Sequence, residues 1–161
     1  MQNLINLTDV LENNWVIVSD VEAPLPEGKI LVPGDYWLEN RETLKARKDV
    51  GVLLLGDANP LDFADDISSI ELFAVNFPAF ADGRGYSIAR LLRERLDYQG
   101  EIRATGDVLI DQLNFMKRCG FSTFLLKEGL SGEKALDYFA TFSDPYQLAN
   151  DLPTPLFRRK A

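Results

Sequence analysis

Histidine is absent from the chain, and cysteine occurs once, as Cys119. The first absence excludes histidine general acid–base catalysis, serine–histidine and cysteine–histidine nucleophile pairs, and histidine metal ligands. The second excludes an internal disulfide, and the two together argue against zinc or an iron–sulfur cluster held by this chain alone. A lone cysteine also agrees with a reducing compartment, so the expected location is cytoplasmic. Long apolar runs are missing too. Nothing approaches the roughly 18 consecutive apolar residues of a membrane span, and residues 1–20 lack the basic and apolar regions of a secretory signal. Positive charge is scarce, with 17 basic against 25 acidic residues and a net charge of −8. A balance of that sign argues against nucleic acid, whose binding rests on phosphate neutralisation. The phosphate-binding loop GxxxxGK[ST] does not occur. The dinucleotide pattern GxGxxG fails at its third glycine, because Asp82-Gly83-Arg84-Gly85-Tyr86-Ser87 is followed by Ile88.

What is present suffices for one folded unit. The 161 residues are 46% hydrophobic and 11% aromatic, enough for a core in a single domain, expected over residues 1–150. An extended tail is expected at 151–161, where Leu156 and Phe157 precede Arg158, Arg159 and Lys160. Residues 15–19 and 29–32 read as strands that pair as a short N-terminal β hairpin. Asp35 is placed to cap a helix running from about Tyr36 to Lys48. Apolar runs at 51–55, 72–76, 101–105 and 121–126 suit strands buried on both faces, as in parallel sheets. Each is followed by a helical segment. At 60–67 the helix is short, with Asp62, Asp65 and Asp66 on its exposed side. At 86–96, Ile88, Leu91, Leu92 and Leu96 form one apolar stripe. A helix follows Asp107 with Leu109, Leu113 and Met116 inward and Gly120 as its C′ residue. The last covers 132–142, with Ala135, Leu136, Phe139 and Phe142 inward. The fold class is therefore α/β: about four consecutive βα units with a mostly parallel, half-barrel-like sheet, a doubly wound sheet being the alternative.

In parallel α/β folds the C-terminal ends of the strands share one edge, and ligands bind there. That edge should gather Asp57, Asn76, the loop from Asp82 to Arg84, Arg103, Asp107, Lys127 and Glu128. Asp82-Gly83-Arg84-Gly85 can present backbone N–H groups at a helix start, with glycine supplying the positive φ of an anion nest and Arg84 a bidentate clamp. The same residues equally make a tight turn with Arg84 paired to Asp82 or pointing into solvent. Arg103, near the end of a buried strand, needs a partner, for which Asp107 or Asp82 is available. Asp107 reads as an N-cap or as an acid–base group, and with Asp111 it forms a carboxylate pair that magnesium would accept; no metal is assigned. Arg90 and Arg93 read as a solvated charged face, Cys119 as a buried inert thiol, and Tyr86 and Tyr98 as packing or rim residues. The candidate ligand-binding set is Asp82, Gly83, Arg84, Gly85, Tyr86, Ser87, Arg103 and Asp107, with Asp107 the candidate catalytic group. Cofactor and turnover stay open.

The stretch NFPAFADGRGYSIARLLRERLDYQGEIRATGDVLIDQLNFMKRCGF resembles the central signature of an uncharacterised bacterial family catalogued as domain of unknown function 934. The later pieces Phe142-Ser143, Tyr146-Gln147 and Pro155-Leu156-Phe157-Arg158-Arg159 resemble its C-terminal end. Members are described as oxidoreductases involved in sulfite reduction, on the strength of a genomic setting beside the sulfite reductase hemoprotein. The resemblance implies a place in sulfur metabolism and a partner, the hemoprotein, without a mechanism. It marks Asp82 to Ser87, Arg90, Arg103, Gly106, Asp107, Asp111, Gln112, Arg118 and Cys119 as family-motif positions of unassigned role. Since the residues include no CxxC, flavin or dinucleotide motif, the expected function is an accessory protein of assimilatory sulfite reduction. The alternative is a small enzyme or binding domain for an anionic, phosphorylated or sulfated, metabolite. A half-barrel also leaves two sheet edges that a homo-oligomer would cover.

Overall fold

The computed structural model describes residues 4–79 and 83–141. The tail at 151–161 lies outside the described residues, as do Phe142 and Asp82. Among the described residues, eight strands form one sheet: β1 (Leu4–Ile5), β2 (Val10–Leu11), β3 (Val16–Ile17), β4 (Ile30–Pro33), β5 (Val50–Leu54), β6 (Leu72–Phe77), β7 (Glu101–Gly106) and β8 (Thr123–Leu125). Strands β3 to β8 lie side by side in chain order, every neighbouring pair parallel. β1 then pairs antiparallel with both β8 and β2. This sequential order is that of a half-barrel; a doubly wound sheet would reverse its winding. The helices are α1 (Gly34–Glu39), α2 (Arg41–Ala46), α3 (Arg84–Arg90), α4 (Leu113–Cys119) and α5 (Gly132–Thr141), with a 3-10 helix at Pro60–Ser69. No helix among the described residues is long and apolar enough to cross a membrane.

Side chains alternate across the strands, and the two faces differ. Val52, Phe73, Val75, Ile102, Ala104 and Phe124 point towards the helices and join Trp37, Phe63, Leu92 and Met116 in the main core. On the opposite face a small cluster of Leu31, Leu72 and Ala74 is covered by Trp15 and Leu53. This face has to be concave. β2 and β3 are the two edges of the sheet, yet Leu11 and Val16 are five residues apart. A chain that advances about 3.3–3.6 Å per residue spans at most about 18 Å there. A flat eight-stranded sheet would hold its edges roughly 34 Å apart at about 4.8 Å per strand. The sheet therefore curls, and residues 12–15 cross its inner face, where Asn13 meets Arg103 and Trp15 lies on the small cluster.

Several local expectations change. The N-terminal hairpin exists but is made by β1 and β2, where strands of two residues carry too little pattern to be read. The segments at 15–19 and 29–32 instead pair in parallel, Val16 opposite Ile30. The helix expected from Tyr36 to Lys48 breaks at Asn40, whose side chain donates to the Tyr36 carbonyl at 3.0 Å, a side chain competing with the helical ladder. Asp35 makes no side-chain cap and lies in the first turn of α1. Asp66 is buried, at 1% exposure, and receives Arg41 and Lys45 at 3.3 and 2.5 Å. The cause is the winding of its helix. At three residues per turn, Pro60, Phe63 and Asp66 fall on one face, and all three are buried.

Candidate functional site

The C-terminal ends of β4 to β8 form one rim, and glycines determine what can approach it. Gly85, in the first turn of α3, packs on β6: a Cβ there would lie 2.6 Å from the Phe77 ring and 3.1 Å from Val75. Gly83 has φ −87° and ψ −3°. Neither glycine therefore supplies the positive φ of an anion nest; the pair serves close packing of helix on strand. Positive φ appears instead at Gly106, φ +90°, where a Cβ would meet the Phe77 carbonyl oxygen at 2.4 Å. That turn lets the Asp107 N–H donate to the same carbonyl at 2.7 Å.

Arg84 projects from the start of α3 over the loop that follows β5. A Cβ at Gly56 would lie 2.7–2.9 Å from its Nε, Cζ and Nη2 atoms, so the guanidinium occupies the space that glycine leaves. Asp107 lies on the other flank of β6, where Lys127 Nζ approaches its Oδ1 at 3.0 Å. The Lys127 N–H also donates to the Val108 carbonyl at 3.0 Å, tying the loops after β7 and β8 together. Asp107 is thus an ion-pair partner rather than a helix cap. The helical turn begins only at Ile110, after Leu109, with no side-chain cap. Tyr86 packs between Phe77 and Phe115, with ring centroids 5.1 and 4.8 Å away. Burial pushes its phenol pKa up, helped by the charges of Cys119 and Asp111. Ser87 is exposed on α3.

Arg103 does not join this rim. It is buried on the concave face, 4% exposed. Its Nη2 donates to Glu101 Oε2 at 2.8 Å, Nη1 to Asn13 Oδ1 at 3.1 Å, and Nε to Glu101 and Thr123 at 3.2 and 3.3 Å. Thr123 in turn donates to Glu101 at 2.7 Å. This is a closed ion-pair network bracing the crossing strap at 12–15. Arg93 is another arginine with a structural task. Expected on a solvated face, it donates to the carbonyls of Gly120, Tyr98 and Gly100 at 2.7–2.9 Å. Arg90 is 3.8 Å from Glu94; burial pushes the Cys119 thiol up in pKa, while the nearby Arg90 charge acts the other way. Cys119 is fully buried.

A cavity of about 400 Å³ opens at the rim between the ends of β4 and β5, α1 and the 3-10 helix. Pro33, Leu38, Leu53, Leu55 and Phe63 form its apolar walls. Its polar lining includes Asp35, Asp57 and Asp62, all exposed. Asp57 follows Gly56, so Arg84 abuts the same loop. The carboxylates of Asp57 and Asp62 take no hydrogen bond or ion pair from any described residue. Among the described residues no group of three or more Asp, Glu, His or Cys side chains gathers closely enough to hold a metal ion. Apolar walls under dispersed negative charge suit an apolar body with a cationic head. Sequence reasoning brought Asp57 to this edge but left Asp35 as a cap and Asp62 on a solvated face. The available signal was positional: acidic residues follow directly after two adjacent parallel strands.

Residues 51–157 match the model of a family described as Bacterial protein of unknown function (DUF934). No curated protein and no solved structure matches the chain.

Proposed function

From the premise that this chain belongs to the DUF934 family, we propose that it is an accessory protein of assimilatory sulfite reduction, working in the cytoplasm and docking on the sulfite reductase hemoprotein. The association comes from the genomic setting described for the family. The single observation that supports docking is the rim cavity, with apolar walls and two aspartates, Asp57 and Asp62, that take no partner among the described residues, on a chain of net charge −8. A surface of this kind speeds encounter with a basic partner and rejects acidic ones. Gel filtration of the chain with the hemoprotein and its electron donor tests the reading. Co-elution at low salt that weakens with added salt is expected; separate peaks at every salt concentration refute it.

A second reading, binding of a sulfated or phosphorylated metabolite, draws its support from Arg84 and Lys127 standing on one rim. It has lost two supports, because Arg103 is committed to Glu101 and the glycines form no nest. Thermal-shift titration with sulfate, sulfite and phosphate, repeated on Arg84→Ala, decides it: stabilisation by an anion that vanishes in the variant would favour this reading.

A further inference from the structure

We infer that the rim cavity is the receptor for a lysine or arginine side chain of the partner protein, presented on a segment that also carries apolar residues. The inference rests on the companion-protein reading and adds the chemistry of the contact. Lysine and arginine bury an apolar stem while keeping the charged head polar. The cavity provides for both parts. Leu38, Leu53 and Phe63 offer a wall for the stem, and Leu55, 52% exposed, extends that wall onto the surface. Asp57 and Asp62 hold carboxylates with no cationic partner among the described residues, in contrast to Asp66 on the same helix as Asp62, which takes Arg41 and Lys45. The volume of about 400 Å³ falls within the roughly 300–1,000 Å³ of ligand pockets. Three aspartates disfavour an anion there, and among the described residues a metal ion lacks the close ligand set it requires. A cation on an apolar stem satisfies both linings.

Phe63 links the cavity to a reporter. Its ring is 5.8 Å from Trp37, one of two tryptophans, so Trp15→Phe leaves a single indole behind the cavity wall. The test is a fluorescence titration of this full chain with the blocked peptide acetyl-Leu-Lys-Leu-amide, its acetyl-lysine counterpart, and free pentylamine. Saturable binding of the lysine peptide is expected. It should weaken about tenfold or more on lysine acetylation, and equally on combining Asp57→Asn with Asp62→Asn, as loss of a charge-assisted contact does. Pentylamine should bind more weakly than the peptide. Equal binding of the acetylated peptide, indifference to the aspartate changes, or pentylamine matching the peptide overturns the inference. The two readings fail separately. A lysine peptide that binds as expected while the hemoprotein does not co-elute removes the companion reading and leaves the cavity assignment standing. A hemoprotein complex unaffected by the aspartate changes removes the cavity assignment alone.

Discussion

Charge is handled in opposite ways on the concave face of the sheet and at its C-terminal rim. On β7, Arg103 has Nε, Nη1 and Nη2 all engaged by Glu101, Asn13 and Thr123. In the loop after β5, two strands away, Asp57 and its neighbour Asp62 face an apolar cavity, and their carboxylates take no ion pair or hydrogen bond from any described residue. A buried charge is tolerable only when paired and hydrogen-bonded, so the first arrangement is what folding demands. An exposed carboxylate gains little from a partner, so folding leaves the second unassigned. The difference teaches where to look for function: at polar groups that the fold does not use.

That contrast can be broken by stability measurements. The largest loss is expected at the concave face. Arg103→Met should lower the unfolding free energy by about 2–3 kcal/mol, below the 3–5 typical of a fully buried pair because Glu101 is part exposed. Chemical denaturation measures it, and a loss under about 0.5 kcal/mol, the range of ordinary surface changes, would show the network to be dispensable. Gly85→Ala comes next. Its methyl would press on the buried Phe77 ring, and overpacking of this kind costs about 1–3 kcal/mol.

Tyr98→Phe sharpens the structural side. The Tyr98 hydroxyl donates to the Ile70 carbonyl at 3.0 Å, so its loss should cost about 1 kcal/mol at neutral pH. Burial raises the Tyr98 pKa above its ordinary value of 10.0. Its contribution is then fully present below the unfolded pKa and is lost as pH rises through it towards the folded value. The wild-type chain should lose stability above about pH 10, the ordinary tyrosine pKa, more steeply than Tyr98→Phe does. The smallest effects belong to the rim. Asp57→Asn, Asp62→Asn and Lys127→Ala should each change stability by no more than about 0.5–1 kcal/mol, while the two aspartate changes weaken partner binding. A rim change that unfolds the protein would erase the contrast.

The central βα units were legible because burial on both faces writes apolar runs, as in Val50–Leu54 and Leu72–Phe77. The rim that carries Arg84 and Asp107, on opposite flanks of β6, followed from parallel topology alone. What stayed hidden depends on atoms distant in sequence. Arg103 finds Asn13 only because the sheet curls enough for a short strap to cross it. Asp66 is buried because a 3-10 helix repeats every three residues, while a period of 3.6 puts it outside. Asp107 gives up a capping role to Lys127, twenty residues later and across a strand. Gly83 and Gly85 suggested a nest, yet Gly85 is there for the Phe77 ring, a contact no local pattern encodes.

The central claim is that the rim between β4 and β5 is the docking surface, and amide mapping tests it most directly. Isotope-labelled chain titrated with the hemoprotein should show shift changes and broadening concentrated at residues 33–38 and 53–63, reduced when Asp57→Asn and Asp62→Asn are combined. Perturbation centred on the β2 and β3 edges, or on the outer surfaces of α3 to α5, with residues 53–63 unchanged, would contradict it.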